Sequence, residues 1–296
     1  MSSPFISYNF GAIPAEYSQL ETSGIVILPV PYEQTTSYGQ GTKNGPRAII
    51  EASRNMELYD EELGQETFSL MGIHTMEEVE PIMTGPGDMA QRLYELTWDL
   101  LRKDKIVVTL GGEHSLSFGP IKAYREKYPD MSILQLDAHA DLRDSYQNST
   151  FNHATVMRRI LEAHPDTPLV PVGIRSLSAE EATFAKGLRW PIFFARDLPI
   201  PENRIDEILA NLTSKVYITI DVDVLDPSIM PAVGTPEPGG FTWQQTLTLL
   251  RSIAQAKQIV GFDLVELSPI PGLIHPDFLA AKLVYKLIGY ISKRKS

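Results

Sequence analysis

The sequence predicts an α/β fold whose core is a central, mostly parallel sheet of about eight strands. Short runs rich in valine, isoleucine and leucine recur along the chain and alternate with segments of helical spacing, the order that builds parallel strands with crossover helices. Several of these runs are apolar throughout rather than at every second position, as in strands covered on both faces. Four of them end directly in histidine or carboxylate residues, and parallel α/β folds place their sites at the carboxyl ends of strands. Alternation alone does not separate a three-layer open sheet from a (β/α)₈ barrel.

Taken in order, residues 1–23 read as an N-terminal arm and 24–30 as a buried strand. A long loop rich in glycine and hydroxyls, 31–45, follows it. Pro46 can begin a helix that runs towards Leu58. The acidic stretch 59–66 reads as a solvated surface turn, and 68–73 as a second strand. Met89, Leu93, Leu96 and Leu100 share one helical face, which predicts a helix over 87–103. Strands follow at 106–110, 132–136, 169–173, 191–194, 216–220 and 258–264. Helices are expected at 117–127, 154–164, 178–187, 203–212, 242–256 and 276–292, the last finishing in a basic Lys293-Arg294-Lys295 suited to a helix C-terminus. Residues 228–240 hold too much proline and glycine to be regular and form a shaped loop. No linker or repeat interrupts this pattern, so the reading is one domain over 1–296.

Composition narrows the function. The 296 residues include no cysteine, which excludes disulfides, thiolate metal sites and a cysteine nucleophile. A formal net charge of -11 argues against nucleic acid and anionic membrane as partners and favours cationic ligands. The N-terminus lacks a basic start followed by an apolar run. No stretch approaches the roughly 20 apolar residues of a spanning helix. A cytoplasmic protein with a small-molecule partner is expected.

The chemistry gathers at strand ends. Asp137, His139 and Asp141 follow strand 132–136, and in extended chain they share one face. His114 follows 106–110, Asp221 and Asp223 follow 216–220, and Glu266 follows 258–264. A parallel sheet brings all four ends to one edge. Taken singly, a DxD is a helix cap or loop former, and a lone histidine is a core residue. Together, two imidazoles and four carboxylates exceed the needs of one ion and suit a bridged pair. Oxygen donors with imidazole and no sulfur favour manganese over zinc, nickel or iron. Asp144, Asp226, His74, His164 and His275 read as structural or surface residues, with Asp226-Pro227 shaping its loop.

The segments Gly111-Gly112-Glu113-His114, Asp137-Ala138-His139-Ala140-Asp141 and Asp221-Val222-Asp223, continued by Gly234-Thr235-Pro236-Glu237-Pro238-Gly239-Gly240, resemble the signatures of the ureohydrolase (arginase and agmatinase) family. The similarity runs from the Gly41–Arg47 loop to Glu266, and Asn152-His153-Ala154 is most similar to agmatinases. The resemblance implies a three-layer αβα arginase-type fold, two Mn²⁺ per chain and a homo-trimer or homo-hexamer. It further implies that His114, Asp137, Asp141 and Asp221 hold one ion and Asp137, His139, Asp221 and Asp223 the other. It makes His153 a proton-handling residue and Glu266 the guanidinium-binding carboxylate, while the chemistry of the reaction lets Asp141 accept the hydroxide's hydrogen bond and pass the proton to the departing amine. Three positions depart from the pattern: Glu113 in place of aspartate, expected to act behind the ligands, Ala232-Val233 in place of glycine-threonine, and Asn152 in place of serine.

These implications describe a hydrolase that releases urea and an amine from a small cationic guanidine. The loop 144–152 offers hydroxyls and amides but no lysine or arginine for a substrate carboxylate. That favours agmatine, giving putrescine in polyamine biosynthesis. Aminopropyl-agmatine, arginine and 4-guanidinobutyrate are alternatives, as is a metal-binding member without catalysis. A single-zinc deacetylase on a related fold would leave Asp141 and Asp223 without a purpose.

Overall fold

The computed structural model describes residues 7–197 and 202–293. Part of the N-terminal arm and the basic finish after Lys293 lie outside them. The eight strands are β1 (Ile25–Val30), β2 (Ile73–Thr75), β3 (Ile106–Gly111), β4 (Ser132–Leu136), β5 (Leu169–Ile174), β6 (Phe193–Phe194), β7 (Lys215–Asp221) and β8 (Gln258–Val265). They form one sheet in the order β2-β1-β3-β8-β7-β4-β5-β6, and every pairing in it is parallel. The sheet is open, with β2 and β6 at its edges, so the barrel alternative is closed.

Alternate residues of each strand serve two cores. Ile25, Ile27, Val108, Leu134, Ile218 and Ile220 point to one face, and Val26, Leu28, Val107, Ile133 and Tyr217 to the other. The first core is covered by helices α1 (Gly45–Ser53), α2 (Thr67–Met71), α7 (Glu202–Asn211), α8 (Trp243–Ala256) and α9 (His275–Lys293). The second is covered by α3 (Pro86–Leu101), α4 (Phe118–Lys127), α5 (Val156–Ala163) and α6 (Ala179–Ala185). This is the three-layer αβα arrangement. Continuous apolar strands are the signature of a sheet buried on both sides.

The chain leaves the sheet centre in two directions. β1 and β2 build one wing, and β4 to β6 the other. β7 and β8 return to fill the middle. The carboxyl ends of β3, β8, β7 and β4 therefore stand side by side, at the place where the direction of winding reverses and where open α/β sheets bind ligands.

Two local expectations are corrected. The stretch 68–73 is not a strand: α2 runs to Met71, Gly72 turns out at φ +65° and only Ile73 enters β2. Phe68 packs edge-on against Tyr17, with ring centroids 5.3 Å apart, and joins the first core from a helix rather than from a strand. The stretch 59–66 is not a simple solvated turn either. Tyr59–Asp60 pairs antiparallel with Gln65–Glu66, and Asp60 is buried against the equally buried Lys286 of α9 at 2.8 Å. Among the described residues, no helix is long and apolar enough to cross a membrane.

Candidate metal and guanidine site

Each functional side chain is delivered by the end of a strand. β3 runs into Gly111 and Gly112, and a side chain at 112 would sit 1.9 Å from the Tyr32 carbonyl oxygen. Glycine there lets the chain pass β1 closely and turn His114 inward. Asp137 follows β4, Asp221 closes β7 and Glu266 follows β8. Asp141 and Glu266 adopt φ of +53° and +67°, a region uncommon for residues with a side chain. That turn aims both carboxylates back into the site. Such strain concentrates at functional positions.

Two groups of ligand-type side chains result, and Asp137 belongs to both. His114, Asp137 and Asp141 form one; Asp137, His139 and Asp223 form the other. His114 Nδ1 lies 3.0 Å from Asp141 Oδ2, 3.2 Å from Asp137 Oδ2 and 3.6 Å from Asp221 Oδ2. His139 Nδ1 lies 2.8 Å from Asp223 Oδ2 and 3.7 Å from Asp137 Oδ1. All six predicted ligand positions are thus brought together, most of them fully buried.

Hydrogen bonds behind them fix their orientation. The Thr219 hydroxyl donates to Asp263 at 2.6 Å, so it accepts from His114 Nε2–H at 2.9 Å. This assigns His114 the tautomer whose Nδ1 lone pair faces the carboxylates. That buried Nδ1 has no hydrogen-bond partner of its own. A lone pair aimed at carboxylate oxygens is repulsive unless a cation or a proton lies between them, which is the fit expected of a metal site. Gln135 Nε2 donates to Asp137 at 2.9 Å, and the backbone N–H of Ala138 and Asp223 donate to Asp223 and Asp221 at 3.0 and 2.9 Å.

The electrostatics tell the same story. Burial first, then the Asp137 charge, pushes Asp141 up to about 7. Burial and the neighbouring Asp223 hold Asp221 well above the carboxylate range. Burial opposes charge on both imidazoles, yet Asp137 and Asp141 push His114 up, and Asp223 and Asp137 bring His139 to about 12. Without cations the cluster keeps protons to limit its own repulsion. Cations would replace them.

Around the cluster opens a cleft of roughly 250 Å³, lined among others by Thr36, Arg143, His153, Glu181, Glu237 and Glu266. Glu266 Oε1 accepts the His114 backbone N–H at 2.7 Å. Burial, then the Glu113 charge, raises its carboxyl well above the usual range. His153 Nδ1–H donates to Thr35 Oγ1 at 3.1 Å, because that hydroxyl is itself committed to Glu113 at 2.7 Å. Its Nε2 is left as an acceptor. Burial and the two other imidazoles lower His153 to about 4, so it is a neutral base at pH 7. Glu113 acts as expected behind the ligands: it also accepts the N–H groups of Gln34 and Thr35 at 2.6 Å, tying the 31–45 loop to the site.

Other participants were not visible in the sequence. Thr219 and Asp263 sit inside an apolar strand and carry no motif. Arg175 donates to the carbonyls of Asp223 and Glu237 at 2.6 and 2.8 Å, clamping the ligand turn to the 228–240 loop. Asp226 shapes that loop as anticipated, accepting from Ser228, Gly239 and Gly240.

An open parallel sheet that brings together two histidine–aspartate groups able to hold metal, beside a buried glutamate, is the setting of a metal-dependent hydrolase. The arginase family profile matches residues 23–289, and the chain belongs to that family, whose members here are hydrolases named ureohydrolases and agmatinases. It is 40% identical over 275 residues to the N(1)-aminopropylagmatine ureohydrolase of Synechocystis sp., covering 90% of this chain and 89% of that protein. It is 36% identical to the agmatinase of Bacillus cereus, over 86% of this chain and 87% of that one. The crystal structure of the agmatine ureohydrolase of Thermoplasma volcanium superposes with a TM-score of 0.85 at 30% identity, covering 99% of this chain and 97% of that one.

Proposed function

We propose that this arginase-family ureohydrolase is a binuclear manganese enzyme that cleaves urea from a cationic guanidino-amine, with N1-aminopropylagmatine as its first substrate. The observation that carries the reading is the pair of His/Asp clusters sharing Asp137, set beside Glu266 in a cleft where Arg143 lies 3.7 Å from Glu181. The name and 40% identity of the Synechocystis relative support the longer substrate. Agmatine, which the sequence favours, is the second reading; the Bacillus and Thermoplasma relatives support it.

His114, Asp137, Asp141 and Asp221 would hold one ion and Asp137, His139, Asp221 and Asp223 the other. Bound there, two manganese ions would supply hydroxide at neutral pH by lowering the pKa of water. Glu266 would take the guanidinium by charge-assisted N–H···O bonds, and the guanidinium in turn would stabilise Glu266 as an anion. Holding the guanidinium carbon at one position over the cluster removes the orientational cost of attack. Asp141 would accept a proton and pass it to the departing amine nitrogen. Neutral His153, held through Thr35, would accept a proton at Nε2 and move it to solvent. The products are urea and a di- or polyamine. A homo-trimer or homo-hexamer in the cytoplasm completes the reading; light scattering tests the assembly.

The test is urea release by protein stripped of metal and reloaded with manganese, using aminopropyl-agmatine, agmatine, arginine and 4-guanidinobutyrate. The expected result is metal-dependent release from the two amines, with the longer one preferred. Faster turnover of arginine or guanidinobutyrate would overturn the substrate reading. Glu266→Gln should lower kcat/KM at least about a hundred-fold, the scale of a lost positioning contact.

A further inference from the structure

Five glutamates lie in or beside the cleft, and four are committed. Glu33 accepts from Gly41 N and Thr36 Oγ1 at 2.8 and 3.0 Å. Glu113 holds the N–H groups of Gln34 and Thr35. Glu181 accepts Leu142 N and Ser178 N at 3.0 and 2.7 Å and offsets Arg143. Glu266 accepts His114 N. Glu237 differs. Among the described residues no donor hydrogen-bonds to its carboxylate. The nearest is His139 Nε2 at 3.8 Å, beyond hydrogen-bond reach. The side chain lines the cleft and is about one-third exposed.

Its backbone, in contrast, is held firmly. Arg175 donates to the Glu237 carbonyl through Nη2 at 2.8 Å. Three residues earlier, Gly234 accepts from Gly39 N at 3.1 Å, and a side chain at Gly39 would come within 2.8 Å of the Gly234 oxygen. The two loops are locked together, and Glu237 is presented from a fixed frame. Four aspartates would balance two divalent ions, Glu181 is offset by Arg143, and Glu266 is reserved for a guanidinium. Glu237 is the one cleft glutamate left over.

We propose that Glu237 is a specificity-determining residue that recognises the ammonium nitrogen beyond the guanidinium of the substrate, an inference that rests on the ureohydrolase reading above. A carboxylate without a donor, beside a site that takes a cationic guanidine, is complementary to the second charge of that substrate. It also repels a carboxylate at the same place, which provides discrimination against 4-guanidinobutyrate.

The test compares wild type with Glu237→Gln, which keeps the shape and removes the charge. For aminopropyl-agmatine and agmatine, KM should rise at least about ten-fold with kcat nearly unchanged. For butylguanidine, which has no amine, kcat/KM should stay within about two-fold. For 4-guanidinobutyrate, kcat/KM should increase. A uniform loss on all four substrates, with weaker manganese binding, would show that Glu237 acts by orienting His139 and would overturn the proposal. Calorimetric titration of manganese-loaded protein with spermidine and putrescine reads the same residue without turnover, and Glu237→Gln should weaken both at least about ten-fold. Unchanged amine affinity would also overturn it. Wild-type protein that released no urea would defeat the ureohydrolase reading, while the amine titration would still decide Glu237.

Discussion

A single hydroxyl decides how His114 faces its site. Thr219 carries the proton that goes to Asp263, so it accepts from Nε2–H, and Nδ1 is turned to the carboxylates, where it holds a proton in the metal-free site and offers a lone pair to a metal. Thr219→Val keeps the volume but leaves the imidazole N–H without its acceptor and removes one of the donors to Asp263, whose bond from the Tyr217 hydroxyl at 2.8 Å remains. Manganese affinity should fall about 10–100-fold, the usual scale for partners behind a ligand, as measured by competition with a fluorescent chelator. Unchanged affinity would mean that the ring is oriented by packing alone. Asp137, His139 and Asp141 could be read from the sequence because three ligand-type residues directly follow an apolar run; the shared strand face expected of them is not formed, since β4 ends at Leu136 and Asp141 turns back at φ +53°. Thr219 and Asp263 could not, because in strands β7 and β8 they look like tolerated polar residues. Their meaning comes from strand order, which sets Thr219 opposite Asp263 in register.

At the scale of elements, the join between β3 and β8 shows how a helix side chain completes a sheet. The register shifts between Ile259 and Gly261, and the β3–β8 pairing is recorded from Val108 onward. Val107 N–H instead donates to the Tyr124 hydroxyl of α4 at 2.8 Å, and that hydroxyl donates to the Val107 carbonyl at 3.3 Å. Gly261 makes room, since a side chain there would meet the Tyr124 ring at 2.2 Å. Tyr124→Phe would leave two buried backbone groups unpaired and should cost about 1–3 kcal/mol in chemical denaturation. The hairpin at 59–66 rests on a different bond. Lys286→Met would strand buried Asp60 without its cation, and a loss of about 3–5 kcal/mol is expected. Loss below 1 kcal/mol would show that the Asp60 contacts to Glu62 N and Leu63 N suffice. The sequence read 59–66 as solvated because its charges are dense. The partner that buries one of them lies more than 200 residues away.

Over the whole molecule, the proton balance of the site links metal to stability. In the metal-free protein Asp141 is raised to about 7 and His139 to about 12. Both folded values exceed the ordinary ones, as do those of His114, Asp221 and Glu266, and these outnumber the lowered Asp137 and His153, so the native site binds more protons than the unfolded chain and stability falls as pH rises. For Asp141 that loss runs from about pH 4 to 7; for His139 it begins near pH 6.5. Manganese needs the deprotonated ligands, and its affinity rises over the same interval. The Tm of metal-free protein should fall between pH 5 and pH 8, and the gain on adding manganese should grow over that range. A gain independent of pH would mean that the cluster is already deprotonated before metal arrives.

The sequence by itself determined the α/β alternation and the burial of both sheet faces, and it singled out the six ligand-type residues and Glu266 that the structure brings together. These depend on local patterns: continuous apolar runs, helical spacing, and polar groups placed directly after strands. Tertiary structure decided the rest. It chose an open sheet over a barrel, because closure depends on which strands meet at the edges. It set the tautomer of His114, lowered His153, and buried Asp60. It also left Glu237 free while committing the other glutamates of the cleft. Each of these depends on a partner brought from a distant part of the chain, and no local pattern records that distance.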